Sequence, residues 1–149
     1  MKSKKLRKWS MIAALIMTLV FAGSAFCVEW KTTNQATVAW DAVTTLDDGS
    51  AVPANNTVKY RVYLSNADSD PDKASPALLT AEPITALEYT LTLNAEGRYL
   101  VGVQAVRYDE NSTEVGTSTI NWSDTNGEAT PNPFGLLHYL PPAAPANLR

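Results

Sequence analysis

Cysteine is almost missing from this sequence. The single one, Cys27, has no partner for a disulfide within the chain, so packing and hydrogen bonds must hold whatever fold forms. Histidine is as scarce. His138 stands alone, with no nucleophile and acid in a recognisable context beside it, so a catalytic triad has no support and the residue reads as one for packing or surface. One His and one Cys cannot supply the four ligands of a zinc site. With no catalytic constellation and no cofactor motif, the sequence points to a protein that is not an enzyme and carries no cofactor. Beyond residue 22 there is neither a long apolar run nor a helical periodicity of useful length, and no internal repeat.

The basic residues are concentrated at the start. Lys2, Lys4, Lys5, Arg7 and Lys8 precede an uncharged apolar run over 11–22, and the small residues Ala22, Gly23, Ser24 and Ala25 follow. This three-part layout predicts a signal peptide over 1–27. The apolar run is about a dozen residues, short of the roughly 20 needed to span a bilayer; an uncleaved N-terminal anchor is the alternative. Ala25-Phe26-Cys27 suits cleavage that leaves Val28 first. Lipid on Cys27 is the competing outcome, disfavoured by bulky Phe26 directly before the cysteine. The expectation is an exported protein, periplasmic, cell-surface or extracellular, with membrane contact only through the leader or that lipid.

Positive charge is then rare. All 15 acidic residues lie after position 27 but only seven of the 12 Lys and Arg, which leaves −8 for the remaining chain. Such a surface repels nucleic acid and anionic lipid. About 120 residues suffice for one domain with one core.

What the chain does have is alternation. In Gly97-Arg98-Tyr99-Leu100-Val101-Gly102-Val103-Gln104-Ala105-Val106, the residues Tyr99, Val101, Val103 and Ala105 share one face of a strand. Upstream, Tyr89-Thr90-Leu91-Thr92-Leu93 alternates too, and Asn94-Ala95-Glu96-Gly97 turns the chain between the two runs. A strand ending in Leu, a short turn and a Tyr opening a Val-rich strand is the layout of a tyrosine corner, whose hydroxyl returns to an upstream backbone group. Val58, Tyr60, Val62 and Leu64 form the core face of another strand, with Lys59, Arg61 and Tyr63 on its wet side. Ala36, Val38 and Trp40 share a face, and Trp40 is large enough to anchor a core. Short strands are expected around Glu29-Trp30-Lys31 and Ala77-Leu78-Leu79-Thr80, and a last one over 116–122. Frequent Thr and Val and closely spaced turns complete an all-β pattern. Trp40, Tyr60, Val62, Leu91, Leu93, Tyr99, Val101 and Val103 are the expected core.

Val38-Ala39-Trp40, Tyr60-Arg61-Val62-Tyr63, Tyr89 to Leu93, the Gly97 turn and Tyr99 to Ala105 together resemble a fibronectin type III domain, over roughly 36–122. The resemblance implies an immunoglobulin-like β-sandwich of about seven antiparallel strands, as in bacterial exported proteins that carry such domains. The proline-led first strand usual in that family is missing, and so is the adhesive Arg-Gly-Asp. Residues 28–122 are expected to form the sandwich and 123–149 a C-terminal extension. Its end, Pro142-Ala143-Ala144-Pro145-Ala146-Asn147-Leu148, looks like the linker and first strand of a following module. Phe134 to Leu140 is apolar and is expected to cover a sheet edge.

Two sets of residues are candidates for binding. Asp68, Asp70 and Asp72 alternate as oxygen ligands of a calcium loop do, but the sharp-turn glycine and closing glutamate are absent, which favours a solvated acidic loop. Tyr63, Tyr108 and Trp122 are aromatics on the polar side or near strand ends, able to stack on sugar rings or fill a partner's pocket. Three triplets fit the glycosylation pattern (Asn55-Asn56-Thr57, Asn111-Ser112-Thr113, Asn121-Trp122-Ser123); the short, strongly basic leader better suits a bacterial exported protein, where they would be chance matches, and they are given no weight. The expected function is a binding or adhesion module, acting on a protein or glycan at the cell exterior through polar loops at 41–56, 65–76 and 108–113 or through a sheet face. The alternatives are a spacer or subunit of a cell-surface, envelope or phage-related assembly, self-associating through 134–149, and a carbohydrate-binding accessory module.

Overall fold

The computed structural model describes residues 28–125 and 132–143; the leader with Cys27 and the end of the tail lie outside them. The described residues form nine strands and no helix: β1 (Glu29–Thr32), β2 (Gln35–Ala39), β3 (Thr57–Asn66), β4 (Ala77–Leu78), β5 (Glu88–Thr92), β6 (Gly97–Tyr108), β7 (Glu114–Thr117), β8 (Asn121–Trp122) and β9 (Phe134–His138). Among them no helix is long and apolar enough to cross a membrane. Seven strands make one sheet and β2 with β5 make a second, consistent with a β-sandwich.

The Tyr99 run is the axis of the larger sheet. On one side β6 pairs antiparallel with β3, from Thr57 opposite Tyr108 to Asn66 opposite Tyr99. On the other side it meets three short strands in turn: β7 near Val106, β8 at Gly102 and Val103, and β9 at Gly97 to Tyr99. β1 then pairs with β9 in parallel, Glu29 opposite Phe134. This departs from the expected seven antiparallel strands. The expected last strand is broken in two, β7 and β8, and the larger sheet takes β9 from the stretch that the sequence sets apart as an extension.

Alternation selects the core. Val62, Leu91, Leu93, Tyr99, Val101 and Leu136 form the buried cluster, each at most 8 % exposed, so the two sheets and β9 all contribute. Tyr60, also buried, accepts a hydrogen bond on its hydroxyl from the Val43 N–H at 2.9 Å. The Tyr99 hydroxyl donates to the Ala95 carbonyl at 3.0 Å, which ties the start of β6 to the turn before it. Gly97 sits in that turn at φ 149°, a conformation an L side chain rarely adopts. Trp40 and Val103 point inward but stay half-buried, because both border an open gap between the sheets.

The outer face of the larger sheet is not simply wet. Leu100 and Val106 point there, yet are 4 % and 0 % exposed. Ile120 and Trp122 lie over Gly102 on that face, and Trp30 lies over Gly135.

Candidate functional site

The inter-sheet gap follows from strand count. A sheet of two strands cannot cover the inner face of a much wider one. Two adjoining cavities of about 450 and 370 Å³ run along the uncovered flank and share Val43, Ala105 and Ser118. Trp40, Tyr60, Val101 and Val103 line the first, with Asn121 of β8 on its margin. The second is an open hollow flanked by residues of the 43–48 stretch and bordered by Asp47, Asp48 and Arg107.

One edge of this groove is a strand whose backbone is half unused. Trp40 donates from its N–H to Leu87, and the Asn34 carbonyl accepts from Leu93, so the even-numbered residues of β2 face β5. Gln35, Thr37 and Ala39 therefore turn their N–H and C=O groups outward. The Thr33 hydroxyl satisfies Gln35. Thr37 and Ala39 are exposed, and their outward backbone groups meet no partner among the described residues. The Trp40 indole N–H is buried and likewise lacks an acceptor there. Its ring sits 5.5 Å from that of Tyr60.

The three candidate aromatics share the outer face of the larger sheet, and each is engaged within the fold. The Tyr63 hydroxyl donates to Gln104 at 2.9 Å. Lys59 lies 4.8 Å above the Tyr108 ring, and Lys73 lies 5.8 Å from the Trp122 ring while pairing with Asp124 at 2.7 Å. Trp30, which the sequence reading did not single out, joins this face with Arg98 stacked on it at 5.3 Å. Its signal was the small Gly135 that β9 places opposite it.

The acidic loop folds back on its own chain. Asp68 accepts from the backbone N–H and the Nε of Arg98 at 2.9 and 2.7 Å, and Asp70 from the N–H groups of Ala74 and Ser75 and the hydroxyl of Ser65. Asp72 is exposed. No group of three His, Cys, Asp or Glu side chains among the described residues is placed to hold a metal ion. His138 is 7 % exposed on β9. Of the three polar loops, 41–56 and 108–113 meet at one pole, where Asn55 donates to Glu110 at 3.2 Å. The 65–76 loop lies at the other, beside the 94–97 turn.

Backbone hydrogen bonds from Ser75 first, then from Ala74, hold the Asp70 carboxyl below the usual carboxylate range. Hydrogen bonds from the Arg98 backbone and side chain do the same for Asp68. A depressed carboxylate stabilises the fold above the unfolded-state value near 3.9, and that contribution is lost as pH falls through the lower folded-state value. Acidification from neutral to below about pH 4 should therefore destabilise the wild-type chain more than Asp70→Asn. Urea midpoints at pH 7 and pH 3 measure this. Equal drops in both proteins would show that Asp70 titrates as it does when unfolded.

No family model, curated protein or solved structure matches this chain.

Proposed function

We propose that this chain is an exported, non-catalytic binding or adhesion module, an immunoglobulin-like sandwich of the fibronectin type III kind, whose working surface is the flank groove beside β2. The single observation that carries the reading is the pairing of a lined cavity with the unused backbone edge at Thr37 and Ala39. An extended peptide that adds to such an edge gains main-chain hydrogen bonds there and seats alternate side chains in the groove. The acidic character of the chain after residue 27 disfavours nucleic acid as the partner. Carboxylates tied to backbone donors and one buried histidine favour binding over chemistry.

The assembly reading draws support from Tyr139 and Leu140, 59 % and 53 % exposed just past β9. The carbohydrate reading is weaker, because Tyr63, Tyr108 and Trp122 already have partners within the fold.

Backbone chemical-shift mapping against a panel of extended apolar peptides and of oligosaccharides tests the proposal. Peptide-induced changes centred on Thr37, Ala39 and Val103 are expected. Sugar-induced changes at Tyr63, Tyr108 and Trp122 would replace the groove with the aromatic face, and a silent groove across the whole peptide panel would overturn the reading.

A further inference from the structure

We propose that residues 141–149 of one copy add as an extended strand along the free edge of β2 in a second copy. This rests on the groove reading above and names its partner.

Geometry selects the segment. After β9 the chain leaves the sheet at the pole of the 94–97 turn, where the Leu140 N–H donates to the Glu96 carboxylate at 3.4 Å. Residues 141–143 are exposed. The uncovered part of the groove lies on the β2 flank and reaches toward the opposite pole, past Val43 to Asp47 and Asp48. A tail filling its own groove must reverse around the link between β1 and β2, whereas a tail reaching a neighbour need not. Nine residues extend to roughly 30 Å, enough to pass the open stretch of β2.

Chemistry agrees with geometry. Pro141, Pro142 and Pro145 exclude a helix, and their missing N–H groups are tolerated in a strand that lies at an edge. Extended, the segment sets Ala144, Ala146 and Leu148 on one side, small enough to enter a gap already narrowed by Trp40 and Phe134. Its one charged side chain is Arg149, and the groove margin carries Asp41, Asp47 and Asp48 against the single cation Arg107. Donor and acceptor surfaces differ, so the contact is heterologous and repeats from copy to copy into an open chain unless the rotation closes a ring.

Sedimentation velocity over a range of loading concentrations tests this, comparing the chain from Val28 with two variants. One stops after Leu140, which keeps β9 whole. The other is Ala39→Pro, which removes an outward N–H without touching a bond to β5. Circular dichroism and thermal unfolding confirm that each is folded. The full chain should associate as concentration rises, both variants should stay monomeric, and a synthetic 141–149 peptide should shift Thr37 and Ala39 resonances in the shortened chain. A monomeric full chain, or a shortened chain that still associates, overturns the proposal. Should Ala39→Pro fail to fold, the shortened chain and the peptide decide alone. If other extended peptides enter the groove and 141–149 does not, the occupant is wrong and the groove reading stands.

Discussion

Leu136→Ala should cost about 2–5 kcal/mol of stability, as truncation of a fully packed leucine does. Leu136 is 2 % exposed and belongs to the central cluster with Val62, Leu91 and Tyr99, directly opposite Tyr99 across the β6–β9 pair. Its loss leaves a cavity beneath the residue that ties the turn to the sheet. In a domain of this size the melting temperature should fall by about 10 °C or more. Leu140→Ala is the internal control: that side chain is 53 % exposed, and its loss should stay within about 0.5 kcal/mol. Urea unfolding of the three proteins gives both numbers. Similar small effects from the two substitutions would mean that β9 rests on the sheet without completing the core. The same logic forbids deleting 134–149 as a test of the tail, since that removes a strand and uncovers the edges of β1 and β6 together.

The alternating runs were legible because a period of two is a local property. Tyr60, Val62 and Leu64 on one side of β3, and Tyr99 and Val101 on one side of β6, needed nothing but the chain itself to place them. The turn at 94–97 was legible for the same reason, with Gly97 and Tyr99 only two residues apart. β9 was not: Phe134-Gly135-Leu136-Leu137-His138 lacks clean alternation, and its partners β1 and β6 are distant in sequence. The parallel β1–β9 pair leaves no local trace at all. The strand expected over 116–122 broke into β7 and β8 because residues 118–120 face only Gln104 and Ala105 between the Val106–Thr117 and Val103–Asn121 pairs, with the Ser118 hydroxyl taking the Ala105 N–H. The groove could not be seen from sequence either. It is an absence of cover, and it depends on how few strands face the larger sheet.

The aromatics show where a face-by-face reading stops. Alternation puts Tyr63 outside, and from the sequence an outside aromatic is a candidate ligand platform. The structure adds what surrounds it: Gln104 on the neighbouring strand takes the hydroxyl's hydrogen bond, and lysines from β3 and from the 65–76 loop lie against Tyr108 and Trp122. Cation–ring contacts at partly exposed sites contribute about 0.5–1 kcal/mol each, enough to give these rings a place in the fold before any partner arrives. The groove residues Thr37 and Ala39 have no such prior engagement on their outer edge. That difference ranks the groove above the aromatic face.

Gly102→Ala should destabilise by about 1–2 kcal/mol, although alanine is the better strand residue by about 0.5–1 kcal/mol. A Cβ at Gly102 would stand 2.6 Å from Ile120 Cγ2 and 2.9 Å from two atoms of the Trp122 ring, closer than side chains pack. Something must move, and β8 is the short element available: it pairs with β6 at Gly102 and Val103, with Ser123 bonded to Val101 beside it. Shifting Trp122 also disturbs Lys73, which lies against that ring and pairs with Asp124. Two signals report this together, a lower urea midpoint and a red shift of tryptophan emission that is absent when the substitution is made in a Trp122→Phe background. The decisive measurement is the double variant Gly102→Ala/Ile120→Ala. Removing the Ile120 methyl groups relieves the nearest clash, so the pair should cost less than the two single changes added. Strict additivity would show that glycine is required at 102 for its backbone alone, and that β8 is not held down by the contact its sequence was built to make.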